Sequence, residues 1–153
     1  MRARHILVPI DFSDGSSEAF ATGLGLAKEG GARLTLLHVM HVAMNTLPDV
    51  AMMVTPDVQR SVEESIERGL VALCDRARDA GVDVDWHIVV GSTSVEICRM
   101  ADELDIDLIV IGSHGGGALA HAIMGSVAER VVRKASCPVL TIRPPSQSSS
   151  LHP

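Results

Sequence analysis

Short apolar runs alternate with longer segments of helical period along most of the chain. The first run, residues 4–10, is compact and apolar, as a strand covered on both faces requires. Residues 14–28 read as a helix. Ala19, Phe20, Gly23, Leu24 and Ala27 lie on one stripe, and Gly30-Gly31 forms the stop. Residues 33–39 predict a second strand. Residues 40–55 carry no clear period and hold Met40, Met44, Met52 and Met53. That composition fits either a loose connection, or a lid or partner surface that adapts to varied contacts. Thr55-Pro56-Asp57 then opens a helix, with Pro in the first turn and an acid near the N-terminus. Its expected apolar face is Val58, Val62, Ile66, Leu70, Leu73 and Ala77, and Gly81 ends it.

Residues 82–90 alternate, with Val82, Val84, Trp86, Ile88 and Val90 against polar neighbours. Such alternation predicts an edge strand rather than a central one. Thr93-x-x-Glu96 predicts a capping box for a helix through Leu104. Residues 107–111 form an apolar strand pattern, 125–135 a helix and 138–143 a final strand. From Pro144-Pro145 onward the chain is Ser-rich, predicting a disordered tail over 144–153 after one domain over 1–143. The order β-α-β-α-β-α-β-α-β implies a doubly wound α/β domain: a five-stranded parallel sheet with helices on both faces. Such sheets bind ligands beyond the carboxyl ends of their strands, where strand order reverses. The pattern alone does not give that order.

Composition narrows the picture. The chain has 153 residues, 46% of them apolar, enough for one domain with a real core. Its only aromatics are Phe12, Phe20 and Trp86, so the core is aliphatic. A formal charge of −6 argues against nucleic acid as a partner, because phosphate contacts need clustered Lys and Arg. The one basic cluster, Arg130, Arg133 and Lys134, falls on a predicted helix and reads as a solvated face. Cys74, Cys98 and Cys137 include no Cys-x-x-Cys pair and read as reduced thiols. The apolar run after Arg2 and Arg4 is too short for a signal sequence or a membrane span. A cytoplasmic protein without membrane contact is expected.

The candidate chemistry lies at two strand ends. The fourth strand runs into Gly112-Ser113-His114-Gly115-Gly116-Gly117, and Gly125-Ser126-Val127 then opens a helix. Glycines allow close backbone approach, and a helix N-terminus offers unpaired N–H donors to an anion such as phosphate. The same glycines also serve as plain turns. No Gly-Lys-Ser or Gly-Lys-Thr is present, so backbone and the Ser126 hydroxyl would hold phosphate without the usual lysine. The first strand ends in Pro9-Ile10-Asp11-Phe12-Ser13. Pro9 removes a donor, which is tolerated near a strand end. Asp11 reads either as a helix N-terminal acid or as a carboxylate that accepts from ligand hydroxyls or an amino group, or holds a cation. His114 caps the glycine loop, contacts phosphate or serves as an acid–base group. No Gly-x-Ser-x-Gly elbow supports a Ser126–His114–Asp11 triad, and the histidines lack the spacing of a metal cage. No catalytic set and no metal ligands are assigned.

These residues resemble a known family. Gly112-x2-Gly115-x9-Gly125-Ser126 is similar to the nucleotide signature of ATP-binding universal stress proteins. Pro9-x-Asp11-Phe12-Ser13, Leu36-Leu37-His38-Val39 and Cys137-Pro138-Val139-Leu140 resemble other motifs of that family, in the same order. The resemblance covers residues 4–143. It implies a Rossmann-like sheet of order 3-2-1-4-5 and ATP as ligand, often with Mg²⁺. It places Asp11 by the adenosine and the Val39 backbone on the adenine edge. Ile111, Gly112 and Gly115 would line the ribose and phosphate path, and Gly125, Ser126 and Val127 would grip the phosphates. Pro9 and His114 join the same site. It also implies a homodimer through the last strand, between Val139 and Arg143. Gly116 departs from the pattern, because many ATP-binding members carry a basic residue there. The resulting expectation is a nucleotide-dependent sensor or switch in the stress response. The alternatives are a slow ATP hydrolase, or a dimeric scaffold with a vestigial pocket.

Overall fold

A computed structural model describes residues 3–41, 55–114 and 124–144. Five strands run β1 (His5–Pro9), β2 (Arg33–Met40), β3 (Val84–Val90), β4 (Leu108–Gly112) and β5 (Val139–Ile142). Four helices run α1 (Asp14–Gly30), α2 (Pro56–Asp79), α3 (Thr93–Glu103) and α4 (Ser126–Lys134). All strand pairs are parallel, in the order β3-β2-β1-β4-β5. The chain moves from β1 outward to β2 and β3, then returns to β4 on the other side of β1. Strand order therefore reverses between β1 and β4, and the crevice of a doubly wound sheet lies beyond their carboxyl ends.

Alternation along the strands divides the core in two. Ile6, Val8 and Ile10 face one side, with Leu34, Leu36 and Val84, and are covered by Ala19, Phe20 and Ala27 of α1 and Leu70, Cys74 and Ala77 of α2. Leu7, Leu37, Ile109 and Ile111 face the other, under Ile97, Met100 and Ala101 of α3 and Ala128 and Val131 of α4. The continuous apolar run of β1 follows from this double cover. The alternating strand β3 does lie at the edge.

Local chemistry sets the helix ends. Ser13 caps α1, its hydroxyl accepting from the Ser16 N–H at 3.3 Å. Gly31 ends α1 in the left-handed conformation (φ 64°) that glycine adopts without penalty. Thr55 caps α2, accepting from the Val58 N–H at 3.3 Å, with Pro56 in the first turn. The expected capping box at Thr93 is displaced: Ser92 holds the cap position, Thr93 is already helical, and no side chain caps the helix. Glu96 pairs with Arg99 instead, at 2.7 Å. The predicted apolar face of α2 is also only partly buried. Leu70 and Ala77 are buried, whereas Val58 and Val62 stay 49% and 48% exposed. Twenty-four helical residues span about 36 Å, and the eight-residue β2 spans about 26 Å, so the first turns of α2 overrun the sheet. The methionine-rich stretch expected to act as connection or lid lies, over 42–54, outside the described residues, as does the Ser-rich tail from 145 on.

At the amino ends of the strands a polar network fixes the register. The Asp107 carboxylate accepts from the Arg4 and His5 backbone N–H groups at 2.8 and 3.0 Å, and these bonds hold its pKa below the usual carboxylate value. The Thr35 hydroxyl bridges His5 Nε2 (2.8 Å) and Asp85 (2.5 Å). Arg33 pairs with Asp85 from the outside.

Candidate site at the carboxyl ends of β1 and β4

β1 delivers Pro9, half-buried and in register with Leu37 of β2. The ladder continues one step further, with the Ile10 N–H donating to the Leu37 carbonyl at 2.8 Å. The exposed Asp11 follows. Its carboxylate accepts from the Ser13 N–H (3.0 Å) and the Ser13 hydroxyl (2.5 Å). Ser13 in turn caps α1, so Asp11 belongs to the turn that opens that helix.

Backbone parity decides what β2 presents. The Arg33 N–H and the Leu37 carbonyl bond toward β1, while the Leu34 N–H and the Met40 carbonyl bond toward β3. In a parallel strand the N–H and C=O of one residue point to the same neighbour. Those of Val39 therefore point toward β1, past its last rung. The next rung would join the Val39 N–H to the Ile10 carbonyl. That carbonyl instead accepts from His38 Nδ1 at 2.7 Å. Among the described residues, the Val39 backbone thus faces the crevice without a strand partner.

β4 brings the buried Ile111, then Gly112 and Ser113. The Ser113 N–H bonds the Ile142 carbonyl at 2.7 Å, and its hydroxyl lies 2.9 Å from His114 Nδ1. His114 is half-buried. Gly112 meets the start of α1: a Cβ there would lie 2.7 Å from the Gly15 carbonyl carbon, and a Cβ on Gly15 would lie 2.4 Å from the His114 carbonyl oxygen. Gly112 and Gly15 thus serve close packing of α1 on the end of β4. Nothing local in the sequence marked Gly15, because its neighbours stand about a hundred positions away.

Gly115, with Gly116 and Gly117, lies outside the described residues. The chain is described again before Gly125, whose N–H donates to the Ser113 carbonyl at 2.6 Å. Gly125 therefore ties α4 to β4, and a Cβ there would lie 3.0 Å from the Ser113 carbonyl oxygen, so this glycine serves close packing rather than donating to a ligand. The donors come next. The first intrahelical bond of α4 runs from the Glu129 N–H to the Gly125 carbonyl, and no side chain caps the helix. This leaves the N–H groups of Ser126, Val127 and Ala128 without helical acceptors at the positive end of the helix dipole. Of the basic cluster, Arg133 pairs with Glu129 at 2.9 Å and belongs to the solvated face.

The arrangement gathers a carboxylate, an outward-facing strand backbone and a helix N-terminus around one switch point, a geometry suited to a polar ligand carrying an anionic group. Among the described residues, no group of three His, Cys, Asp or Glu side chains is placed to hold a metal. A dedicated protein cage for Mg²⁺ does not fit these residues, and no helix of the described chain is long and apolar enough to cross a membrane. Cys74, Cys98 and Cys137 are all free thiols, and burial raises the pKa of each.

Comparison with known proteins agrees with the fold. The model of the universal stress protein family matches residues 2–143. Universal stress protein YxiE of Bacillus subtilis is 33% identical over 144 residues, covering 90% of this chain and 97% of that one. The solved structure of universal stress protein UspA from Lactobacillus plantarum superposes with a TM-score of 0.78 at 27% identity, over 94% of this chain and 99% of that one. A universal stress protein crystallised in complex with cAMP superposes with a TM-score of 0.71 at 26% identity, again over 94% and 99%. With the family model spanning nearly the whole described fold, the chain belongs to the universal stress protein family.

Proposed function

We propose that this protein binds ATP in the crevice between β1 and β4 and acts as a nucleotide-dependent sensor or switch in the stress response. One observation carries the reading: among the described residues, the Val39 backbone and the first N–H groups of α4 both face the switch point without protein partners. In this reading the Val39 backbone holds the adenine edge, and Asp11, beside Pro9, meets the adenosine hydroxyls. Ile111, Gly112, His114 and Gly115 line the path to the phosphates. Gly125 sets α4 against the end of β4, and the N–H groups of Ser126 and Val127 hold them. Mg²⁺ arrives as the counter-ion of the triphosphate, since such ions keep most of their contacts to phosphate and water. The family relative crystallised with cAMP supports a nucleotide as guest.

The same reading takes residues 1–143 as the binding domain and the protein as a cytoplasmic homodimer. The three free thiols fit a reducing compartment. Among the described strands β5 has only β4 as a neighbour, and Leu140 is 38% exposed, an edge that a second copy would cover.

Calorimetry and thermal shift with ATP and Mg²⁺ test the reading. At 100 times its Kd a ligand adds about 2.7 kcal/mol to stability. No heat and no shift at millimolar ATP would refute binding. The scaffold alternative draws on the Gly125 N–H, which is committed to Ser113. It predicts a normal dimer that releases no adenine nucleotide when purified protein is denatured.

A further inference from the structure

Phe12 follows Asp11 with φ +62°. A bulky residue keeps the left-handed conformation only where its surroundings impose it. Two contacts do so. The Phe12 ring lies 5.6 Å from the His38 ring, tilted by 34°, and His38 is fixed by its Nδ1–H bond to the Ile10 carbonyl. The ring edge also rests on Gly69 of α2. A Cβ at Gly69 would lie 2.6 Å from Phe12 Cε1 and 2.8 Å from Cζ. Glycine is disfavoured in a helix interior, and Gly69 stands near the middle of a 24-residue helix. The seat it gives Phe12 supplies a reason for it.

We propose that Gly69 and His38 are positioning residues for Asp11, acting through the Phe12 ring to set the turn in which Asp11 accepts from Ser13. This rests on the reading in which Asp11 faces the nucleoside. His38 of β2 and Gly69 of α2 both touch the ring, and the ring holds the backbone of the adjacent acid. The unusual conformation of Phe12 and the helix glycine then have one common purpose.

Gly69→Ala tests it. The added methyl group strengthens the helix and pushes the partly exposed ring out of its seat, so the fold is kept while the turn is released. NMR magnetisation transfer from water should show Ser13 amide exchange at least tenfold faster in Gly69→Ala than in wild type, with an unchanged or higher melting temperature. Phe12→Ala leaves α2 untouched and should have the same effect on Ser13. ATP affinity should fall about tenfold in Gly69→Ala, and the same change should have no effect in an Asp11→Asn background. Unaltered Ser13 exchange in both variants would overturn the proposal. So would an affinity loss that persists in the Asp11→Asn background, because Gly69 would then act on the whole site. If wild type binds no ATP, the functional reading alone fails, and Ser13 exchange still decides whether Gly69 sets the turn.

Discussion

Gly15 and Gly112 meet backbone to backbone, with the space for a Cβ on Gly112 already taken, at 2.7 Å, by the Gly15 carbonyl carbon. This contact brings the first turn of α1 onto the end of β4 and so forms one wall of the crevice. Gly15→Ala would push a methyl group to within 2.4 Å of the His114 carbonyl oxygen. Backbone atoms cannot swing aside as a flexible side chain can. Overpacking of this kind costs about 1–3 kcal/mol, which at this chain length lowers Tm by about 2–4 °C per kcal/mol. Thermal denaturation checks it. Gly25→Ala is the control, because nothing stands within 4 Å of a Cβ there.

The overrun of α2 gives a second test. Leu36 is fully buried under α1 and α2, so Leu36→Ala should cost about 2–5 kcal/mol in urea unfolding. Val62, on the predicted apolar face but 48% exposed, should change stability by less than about 0.5 kcal/mol when replaced by Ala. Equal losses at the two positions would mean that α2 packs along its whole length.

These cases show what the sequence made readable. The run at β1 and the alternation at β3 distinguished a central strand from an edge strand, because burial on two faces or one is written directly into residue type. Helix stops at Gly31 and Gly81 were legible for the same local reason. The α2 face was not, because periodicity reports the direction of a stripe and not the length of the sheet beneath it. The capping box slipped by one residue because Ser92 and Thr93 are chemically alike. At the site, Asp11 and the glycines stood out by type. The Val39 N–H, unpaired among the described residues, depends on strand register and on His38 taking the Ile10 carbonyl, and the role of Gly15 depends on a residue about a hundred positions away. Long-range geometry of this kind leaves no local mark.

Acid should weaken the fold through two groups at the amino ends of the strands. Burial, and next the Arg33 guanidinium, lower the pKa of His5 below its ordinary 6.5. The unfolded chain therefore binds that proton more readily. The contribution is complete above pH 6.5 and is lost as pH falls from there through the folded pKa. Asp107, lowered by its two backbone N–H bonds, adds a loss below the usual carboxylate range in the same direction. His5→Asn should flatten unfolding free energy against pH between 7 and 5, and Asp107→Asn should flatten it only below about pH 4. A His5→Asn curve as steep as wild type would contradict this assignment.

The edge strand predicts the assembly. Pro138 and Ile142 carbonyls bond toward β4, so by parity the backbone of Thr141 points outward. Thr141→Pro removes an outward N–H and leaves the β4 ladder intact. Light scattering should show a dimer for wild type and a monomer for this variant. A dimer that survives the change would place the interface elsewhere.

The central claim is that main-chain N–H groups at the start of α4 hold the phosphates of a nucleotide. Ser126→Pro tests it most directly, because proline at the first helical position keeps the helix and deletes one donor. Calorimetry with ATP should show wild-type binding and a loss in the variant of about 1.5–3 kcal/mol, the value of a hydrogen bond to a charged group, with circular dichroism unchanged. Equal ATP affinity for the two proteins would contradict the account.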